Sequence, residues 1–334
     1  MIELCRQIKS DSVAIIGMCK NAGKTTVLNE LISGMPDITL GLTSIGRDGE
    51  STDVATITPK PDVYVREGTV FATASKMLAY CDTTLEILDT SGISTALGEV
   101  IYAKAKSDGN IQIAGASTVD GLCKIHSQMK SFGIDKAIFD GAVSRKSLSV
   151  PSLCDELILC SGASYSPSLS KTVCDTAYIA KLFCLDVCPR PQNINNITDK
   201  FVVVSEECIS FSELWEFFEY LKRNKSNISS VYIKGAVTDT ILKSIFESGI
   251  RNSLIIADDP CKILASYEMF TKCCIRDIKF NVLEKARLCA ITVNPYSAYG
   301  YSYEGQMLFD EVCKRVEGYN IPVFDVKGGL YFEN

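Results

Sequence analysis

The sequence predicts an α/β fold: a mainly parallel sheet with helices on both faces, followed by a second, smaller α/β domain. Three observations predict it. Short β-rich runs alternate with helical periodicity through the first half of the chain. An aperiodic stretch then interrupts the pattern, and the alternation resumes beyond it. Finally, 334 residues suit two domains at ~100 to 200 residues each. With 46% hydrophobic and 22% charged residues, the chain has the composition of a folded globule rather than a disordered one.

The elements follow in order. Val13-Ala-Ile-Ile16 reads as a buried strand that feeds the loop Gly17-Met-Cys-Lys-Asn-Ala-Gly-Lys-Thr-Thr26. Val27, Leu28, Leu31 and Ile32 then recur at helical spacing, and Gly34 supplies the stop. Further strands are expected at 38–43, 85–88, 136–139 and 157–160. Val63-Tyr-Val65 and Thr69-Val-Phe71 flank Glu67-Gly68 as a hairpin, and a second hairpin turns at Ser107-Asp-Gly-Asn110. Between Cys184 and Lys200 the chain loses periodicity and collects prolines and asparagines. The expected organisation is therefore a first domain over 1–186, a linker over 187–200 and a second domain over 201–334. In the last, strands are expected at 201–204, 231–233, 253–257 and 290–293. Ser210-Phe-Ser-Glu213 has capping-box spacing ahead of a helix carrying Leu214, Trp215, Phe218 and Leu221 on one face.

Composition excludes several function classes. A net charge of −6 and a pI near 5.1 give no overall attraction for a nucleic-acid backbone or an anionic membrane. No apolar run approaches the ~20 residues of a membrane-spanning helix, so a cytoplasmic location is expected. The 15 cysteines are scattered without any C-x-x-C and read as reduced thiols that pack as small hydrophobes. The single histidine, His126, lies inside a helical pattern, so neither a His-rich metal site nor a Ser-His triad is expected.

The chemistry points instead to the segment Lys20-Asn-Ala-Gly-Lys-Thr-Thr26 between the first strand and its helix. It matches the end of a P-loop, in which backbone N–H groups at a helix start cup phosphate oxygens. Lys20, Asn21, Ala22, Gly23, Lys24, Thr25 and Thr26 are the expected nucleotide-binding residues. Lys24 would reach the β- and γ-phosphates, and the Thr25 hydroxyl would complete a magnesium ion's coordination. The match is imperfect: the pattern wants glycine at position 18, where Met18 stands, and Gly17 lies one place earlier. A P-loop NTPase also needs carboxylates at the metal and its waters. Asp48 and Asp89 are the expected metal and catalytic groups beside Lys24. Asp48 and Glu50 lie in a Gly-rich loop with Arg47; Asp89 opens Asp-Thr-Ser-Gly92; Asp140, at the end of another strand, is a third candidate.

Other segments remain open between two readings. Ser161-Gly-Ala-Ser164 is either a base-recognition turn or an ordinary β-to-α turn. No N/T-K-x-D sequence supports guanine, so ATP with Mg2+ is the expected cofactor pair. Asn294 to Gly305 carries Tyr296, Tyr299, Tyr301 and Tyr303, either a binding surface or a packed aromatic loop. Asp258-Asp259-Pro260 is expected to cap the next helical turn rather than to catalyse.

Six segments together resemble one family: the loop Gly17 to Thr26, Leu40-Gly-Leu-Thr-Ser-Ile-Gly-Arg-Asp-Gly-Glu50, Asp89-Thr-Ser-Gly-Ile93, Ala114-Gly-Ala-Ser117, Asp140-Gly-Ala142 and Ser161-Gly-Ala-Ser164. They look like the nucleotide-binding subunit of the lysine 5,6-aminomutase reactivase, over most of residues 12–175, with a weaker match at Asn294-Pro-Tyr-Ser297. The resemblance implies an ATPase of anaerobic amino-acid fermentation that restores an adenosylcobalamin-dependent aminomutase whose cofactor is damaged. It also implies two partners, the aminomutase and a second reactivase subunit. The same loop is similar to those of dethiobiotin-synthetase-like ligases and molybdopterin-guanine dinucleotide accessory proteins, which makes an ATP-dependent small-molecule ligase the alternative. A nucleotide-dependent binding module without turnover is the third reading.

Overall fold

A computed structural model describes residues 2–44, 63–141, 151–191, 194, 197–204 and 208–333. The chain divides into two compact units, residues 1–177 with 286–334, and residues 178–285.

In the first unit, α1 (Ile2–Arg6), β1 (Ser12–Gly17), α2 (Lys24–Gly34) and β2 (Leu40–Ser44) lead to β3 (Val63–Val65), β4 (Val70–Ala74), β5 (Leu85–Thr95), β6 (Gly98–Ala105) and β7 (Gly109–Ile111). The helix α3 (Val119–Ser131) and strand β8 (Lys136–Asp140) follow, then β9 (Glu156–Gly162) and α4 (Leu169–Phe183), within which the division at 177 falls. In the second unit, β10 (Asp186–Val187), β11 (Phe201–Val204), β12 (Ile209–Phe211), α5 (Leu214–Asn224), β13 (Ser230–Ile233), α6 (Asp239–Ser248), β14 (Leu254–Ala257), α7 (Tyr267–Ile275) and β15 (Lys279–Val282) succeed one another. The chain then re-enters the first unit with β16 (Arg287–Asn294), α8 (Gly305–Val316), β17 (Val323–Asp325) and β18 (Leu330–Phe332).

Among the described residues, ten strands form one sheet in the order β18-β17-β16-β9-β1-β8-β2-β4-β6-β5. Pairing is parallel from β17 through β4 and antiparallel at both margins. The expected mainly parallel sheet is thus present, with antiparallel strands added at its two margins. β1 is buried along its whole length, as a parallel strand covered on both faces must be. Ile138 packs in the core with Val27, Leu28 and Leu31 of α2, whereas the Phe139 ring meets His126 of α3 edge-on at 5.3 Å. Because successive strand residues face opposite ways, α2 and α3 cover opposite faces.

Several local expectations are corrected. β3 pairs with β7, and β4 with β2 and β6, so no hairpin closes at Glu67-Gly68. The hairpin joins β5 to β6 instead and turns between Thr95 and Gly98, where Gly98 takes φ +102. β5 runs through the Asp-Thr-Ser-Gly segment by means of register shifts, the unpaired residues being absorbed as bulges. The domain division expected at 187–200 also changes. β16 pairs with β9 in the large sheet, so 286–334 complete the first unit, and the second unit is the contiguous stretch 178–285.

That second unit is α/β. Its six strands lie in the order β10-β15-β14-β13-β11-β12, parallel from β10 to β13 and antiparallel beyond. Phe217 and Leu221 of α5, Ile241, Leu242 and Ile245 of α6 and Phe270 of α7 share one core. Trp215, expected on the buried face of α5, is 66% exposed. The capping-box reading also fails there: Ser210 belongs to β12, and Glu213 precedes the helix without a side-chain cap.

Candidate functional site

β1 enters the sheet between β9 and β8, and the loop that leaves it ends at the first turn of α2. Two residues of this loop have left-handed backbone, Asn21 at φ 60 and Gly23 at φ 97. Gly23 precedes α2 without any side-chain cap, and the first turn carries no acidic residue. Backbone N–H groups at such a helix start retain their donor capacity and its positive end.

Lys24 folds back along the loop. Its Nζ donates to the Cys19 carbonyl at 3.4 Å, and a Cβ built on Gly17 would stand 2.9 Å from that nitrogen. Gly17 therefore leaves the space that the lysine side chain uses, which explains why glycine stands there rather than at 18. The Met18 side chain is buried, where its sulfur accepts a hydrogen bond from the Thr176 hydroxyl at 3.0 Å. Thr25 and Thr26 occupy the first turn of α2, half-buried, and Lys20 and Asn21 form the exposed rim. The seven residues expected to bind nucleotide thus form one continuous loop and helix start.

The carboxylates separate. Asp140 ends β8, paired with Ile15 of β1 on one side and Ser44 of β2 on the other, and the Gly141 N–H donates to the Ile15 carbonyl at 2.9 Å. It therefore stands at the strand end next to the loop. Lys24 and Asp140 both act on the same buried thiol: burial pushes Cys160 up to about 12, with Lys24 pulling it down and Asp140 pushing it up. Asp89 is elsewhere. It lies within β5, five strand steps from β1, which at ~4.8 Å per step is about 24 Å along the sheet. Its carboxylate accepts from Thr90 N–H at 2.8 Å and from Gln128 Nε2 at 3.4 Å. Asp89 and Thr25 are not brought together, so Asp89 is corrected as a metal or catalytic group. Asp48, with Arg47 and Glu50, lies outside the described residues. No group of three or more His, Cys, Asp or Glu that could hold a metal ion is gathered among the described residues.

Two further loops reach this end of the sheet. β9 ends in Ser161-Gly162, and β16, its neighbour, ends at Asn294 opposite Gly162. The segment after Asn294 forms a small hairpin: Tyr303 N–H donates to the Pro295 carbonyl at 2.8 Å, and Ser297 N–H to the Tyr301 carbonyl at 3.0 Å. This hairpin is bonded to the loop after β9. Tyr301 Oη donates to the Ala163 carbonyl at 2.9 Å, Ala298 N–H to Ser164 Oγ at 3.2 Å, and Tyr303 Oη to the Ser166 carbonyl. Of the four tyrosines, Tyr301 and Tyr303 are thus packed, and Tyr296 and Tyr299 are more than half exposed. The sequence reading left Asn294 unassigned. Its side chain donates from Nδ2 to the Asn21 carbonyl at 3.3 Å, and a Cβ on Gly23 would meet the Asn294 Cβ at 3.5 Å. No sequence pattern signals that contact, since it joins residues 273 positions apart.

Cys19, within the loop, is half-buried, and burial pushes its thiol up to about 11 against the pull of Lys24. Such a thiol stays protonated at neutral pH and suits packing rather than nucleophilic chemistry. At the other end of β9, buried Glu156 accepts from Lys9 N–H at 2.8 Å, Ser10 N–H at 3.1 Å and Arg287 Nε at 2.8 Å. It is far too well satisfied to serve this site and holds the strand starts together. In the second unit, Asp259 caps the turn at Cys261 with a 2.7 Å bond, as its sequence position suggested. Among the described residues no helix is long and apolar enough to cross a membrane. The chain matches no protein-family model, no curated protein and no solved structure.

Proposed function

We propose that the loop from Gly17 to Thr25 binds the phosphates of Mg-ATP and that the chain is a P-loop ATPase. The observation that supports this best is the Lys24 side chain folded over Gly17 above a helix start that bears no acidic residue and no side-chain cap. The residues fit the group. Gly17 leaves space that a Cβ would crowd, Gly23 takes a left-handed φ of +97 that glycine adopts freely, Lys24 supplies the ammonium, and the Thr25 hydroxyl and Asp140 carboxylate supply hard oxygen donors. Bound magnesium would neutralise triphosphate charge and polarise the γ-phosphoryl group. Around it, Lys24 would bind the β- and γ-oxygens, Thr25 would hold the metal, and Asp140 would orient an ordered water.

The wider role rests on the family resemblance of the segments at 17–26, 40–50, 89–93, 114–117, 140–142 and 161–164. On that basis the chain acts as the nucleotide-binding subunit of a reactivating factor for an adenosylcobalamin-dependent aminomutase of the lysine 5,6-aminomutase type. Such a factor must bind its target differently in its two nucleotide states, so that damaged cobalamin leaves and the target is then released. The test is recovery of an inactivated aminomutase incubated with this protein, the second reactivase subunit, ATP, magnesium and fresh cofactor. Recovery only with ATP supports the reading. Turnover of ATP without recovery, dependent on a small acid or amine, would replace it with the ligase.

A further inference from the structure

Asn294 sits where three loops meet, and its two polar atoms have different partners. Oδ1 accepts from Tyr296 N–H at 3.1 Å, which starts the tyrosine hairpin, and Nδ2 donates to the Asn21 carbonyl at 3.3 Å. The amide orientation follows from this pair, because only the nitrogen can donate to a carbonyl. The Asn294 main chain is fixed as well: it pairs with Gly162 in the sheet, and a Cβ on Gly162 would approach the Asn294 carbonyl oxygen to 2.3 Å. Its partner is the residue of the loop that most needs holding. Asn21 is not glycine, yet it takes φ 60, a left-handed backbone state that an asparagine adopts less readily than glycine does. A side chain anchored on a central strand thus grips the carbonyl of a residue in a disfavoured conformation, two positions before Gly23.

We propose that Asn294 is a positioning residue: it holds Asn21 in the left-handed conformation and so keeps the loop in its phosphate-ready form before any ligand arrives. The proposal rests on the phosphate-loop reading above. It differs from a role in recognising the rest of the nucleotide, because a loop-holding residue affects any ligand that bears a phosphate chain, with or without a base. It also differs from a merely structural role, because its importance should depend on which residue stands at 21. Glycine reaches φ near 60 more readily, so Asn21→Gly should remove most of the need for Asn294.

The experiment is titration calorimetry of the full chain with Mg-ATP and with magnesium and inorganic tripolyphosphate, in a double-substitution cycle. Asn294→Ala should weaken both ligands about five-fold, which is about 1 kcal/mol. In the Asn21→Gly background the same substitution should cost less than about two-fold. Asn294→Ser keeps a neutral acceptor that can take the N–H two residues on and is too short to reach the Asn21 carbonyl, so it keeps the hairpin entry intact should the alanine variant fold poorly. It should show the same loss, reduced by Asn21→Gly. An undiminished loss in the Asn21→Gly background, or a loss confined to ATP with tripolyphosphate unchanged, would overturn the proposal. If the parent chain binds neither ligand, the phosphate-loop reading itself falls, an outcome distinct from both, and the proposal falls with it.

Discussion

Each unit contains a parallel strand, a glycine-bearing loop and a helix, and the two constructions leave their backbone donors in different states. After β1, the loop ends at Gly23 with no side-chain cap, and the first turn of α2 offers Lys24, Thr25 and Thr26. After β13, the Gly235 N–H donates to Asp258 Oδ2 at 2.8 Å, and the other oxygen of that carboxylate accepts from Tyr232 Oη at 2.6 Å. The helix that follows, α6, starts with Asp239. In the second unit the chain's own carboxylates sit where an anion would be welcomed. In the first unit the first turn of α2 carries no acidic residue, which is the difference the proposed phosphate site relies on. Strand, loop and helix are thus common to both, and the residue types at the loop decide whether the junction is a site or only a connection.

The largest expected effect that tests this contrast is removal of the ammonium. Lys24→Ala should weaken Mg-ATP binding about 100-fold or more, since a charge-assisted contact to each of two phosphates is lost, with little change in melting temperature. Lys234→Ala, in the corresponding loop of the second unit, should leave binding unchanged in the same titration. Unchanged affinity in a folded Lys24→Ala protein would remove the distinction between the units.

Turnover gives the next effect. Asp140→Asn should lower hydrolysis about 10- to 100-fold while binding falls much less, as expected of a group that orients metal and water. Asp89→Asn should hydrolyse at the parental rate, because β5 is remote from the loop. Phosphate-release kinetics on both variants decide between the two carboxylates, and the opposite pattern would mean that the sheet order misplaces the site.

A glycine pair sharpens the comparison further. Gly17→Ala would put a methyl against Lys24 Nζ and should cost about ten-fold in nucleotide affinity, whereas stability should hardly change because the lysine end can move. Gly235→Ala should do the reverse. Its φ of +79 disfavours any side chain, so about 1 kcal/mol of stability is lost in denaturant melts and nucleotide affinity stays as it was.

The smallest effect concerns acid stability and lies at the far end of the same strands. Burial raises the Glu156 carboxyl, but hydrogen bonds from Ser10 N–H and the Arg287 side chain outweigh it and hold the group below the usual carboxylate value. A folded value below the unfolded one means that the unfolded chain binds more protons in acid. The contribution is therefore complete above the unfolded carboxyl range near pH 4.5 and is lost as pH falls through the folded value. Urea melts should show Glu156→Gln less stable by about 1–3 kcal/mol at pH 7, with the gap narrowing towards pH 3. A gap independent of pH would assign the loss to packing.

How much of this was legible in the sequence follows from how local each signal is. β1, the loop and α2 are encoded side by side, by a run of apolar residues, a glycine-lysine-threonine turn and apolar spacing at three and four, so they were read in full. Asp89 misled because Asp-Thr-Ser-Gly carries loop chemistry, whereas the structure threads it through a strand at the sheet margin. There the bulges between Ile87 and Asp89 and between Thr90 and Ser94 absorb the polar run, with Gly92 at φ +68. The role of β16 could not be read locally either. Leu288 to Val293 is largely apolar whichever sheet it joins, and the choice of β9 over β15 is a long-range pairing that no nearby residue announces. Asn294 inherits that difficulty, since its place at the loop exists only once β16 lies beside β9.

The same discontinuity shapes how the chain emerges from a ribosome. Roughly 120 residues separate the end of β9 from the start of β16, and at ~5 to 20 residues per second that is about 6 to 25 s of synthesis. During that interval β1 and β8 have their neighbours, but the outer edge of β9 has none, while the whole 178–285 unit is translated and free to fold as a contiguous piece. The nascent first unit therefore carries a bare strand edge, apolar from Leu157 to Cys160, until its last quarter appears, and that edge is open to mispairing or chaperone capture throughout the window.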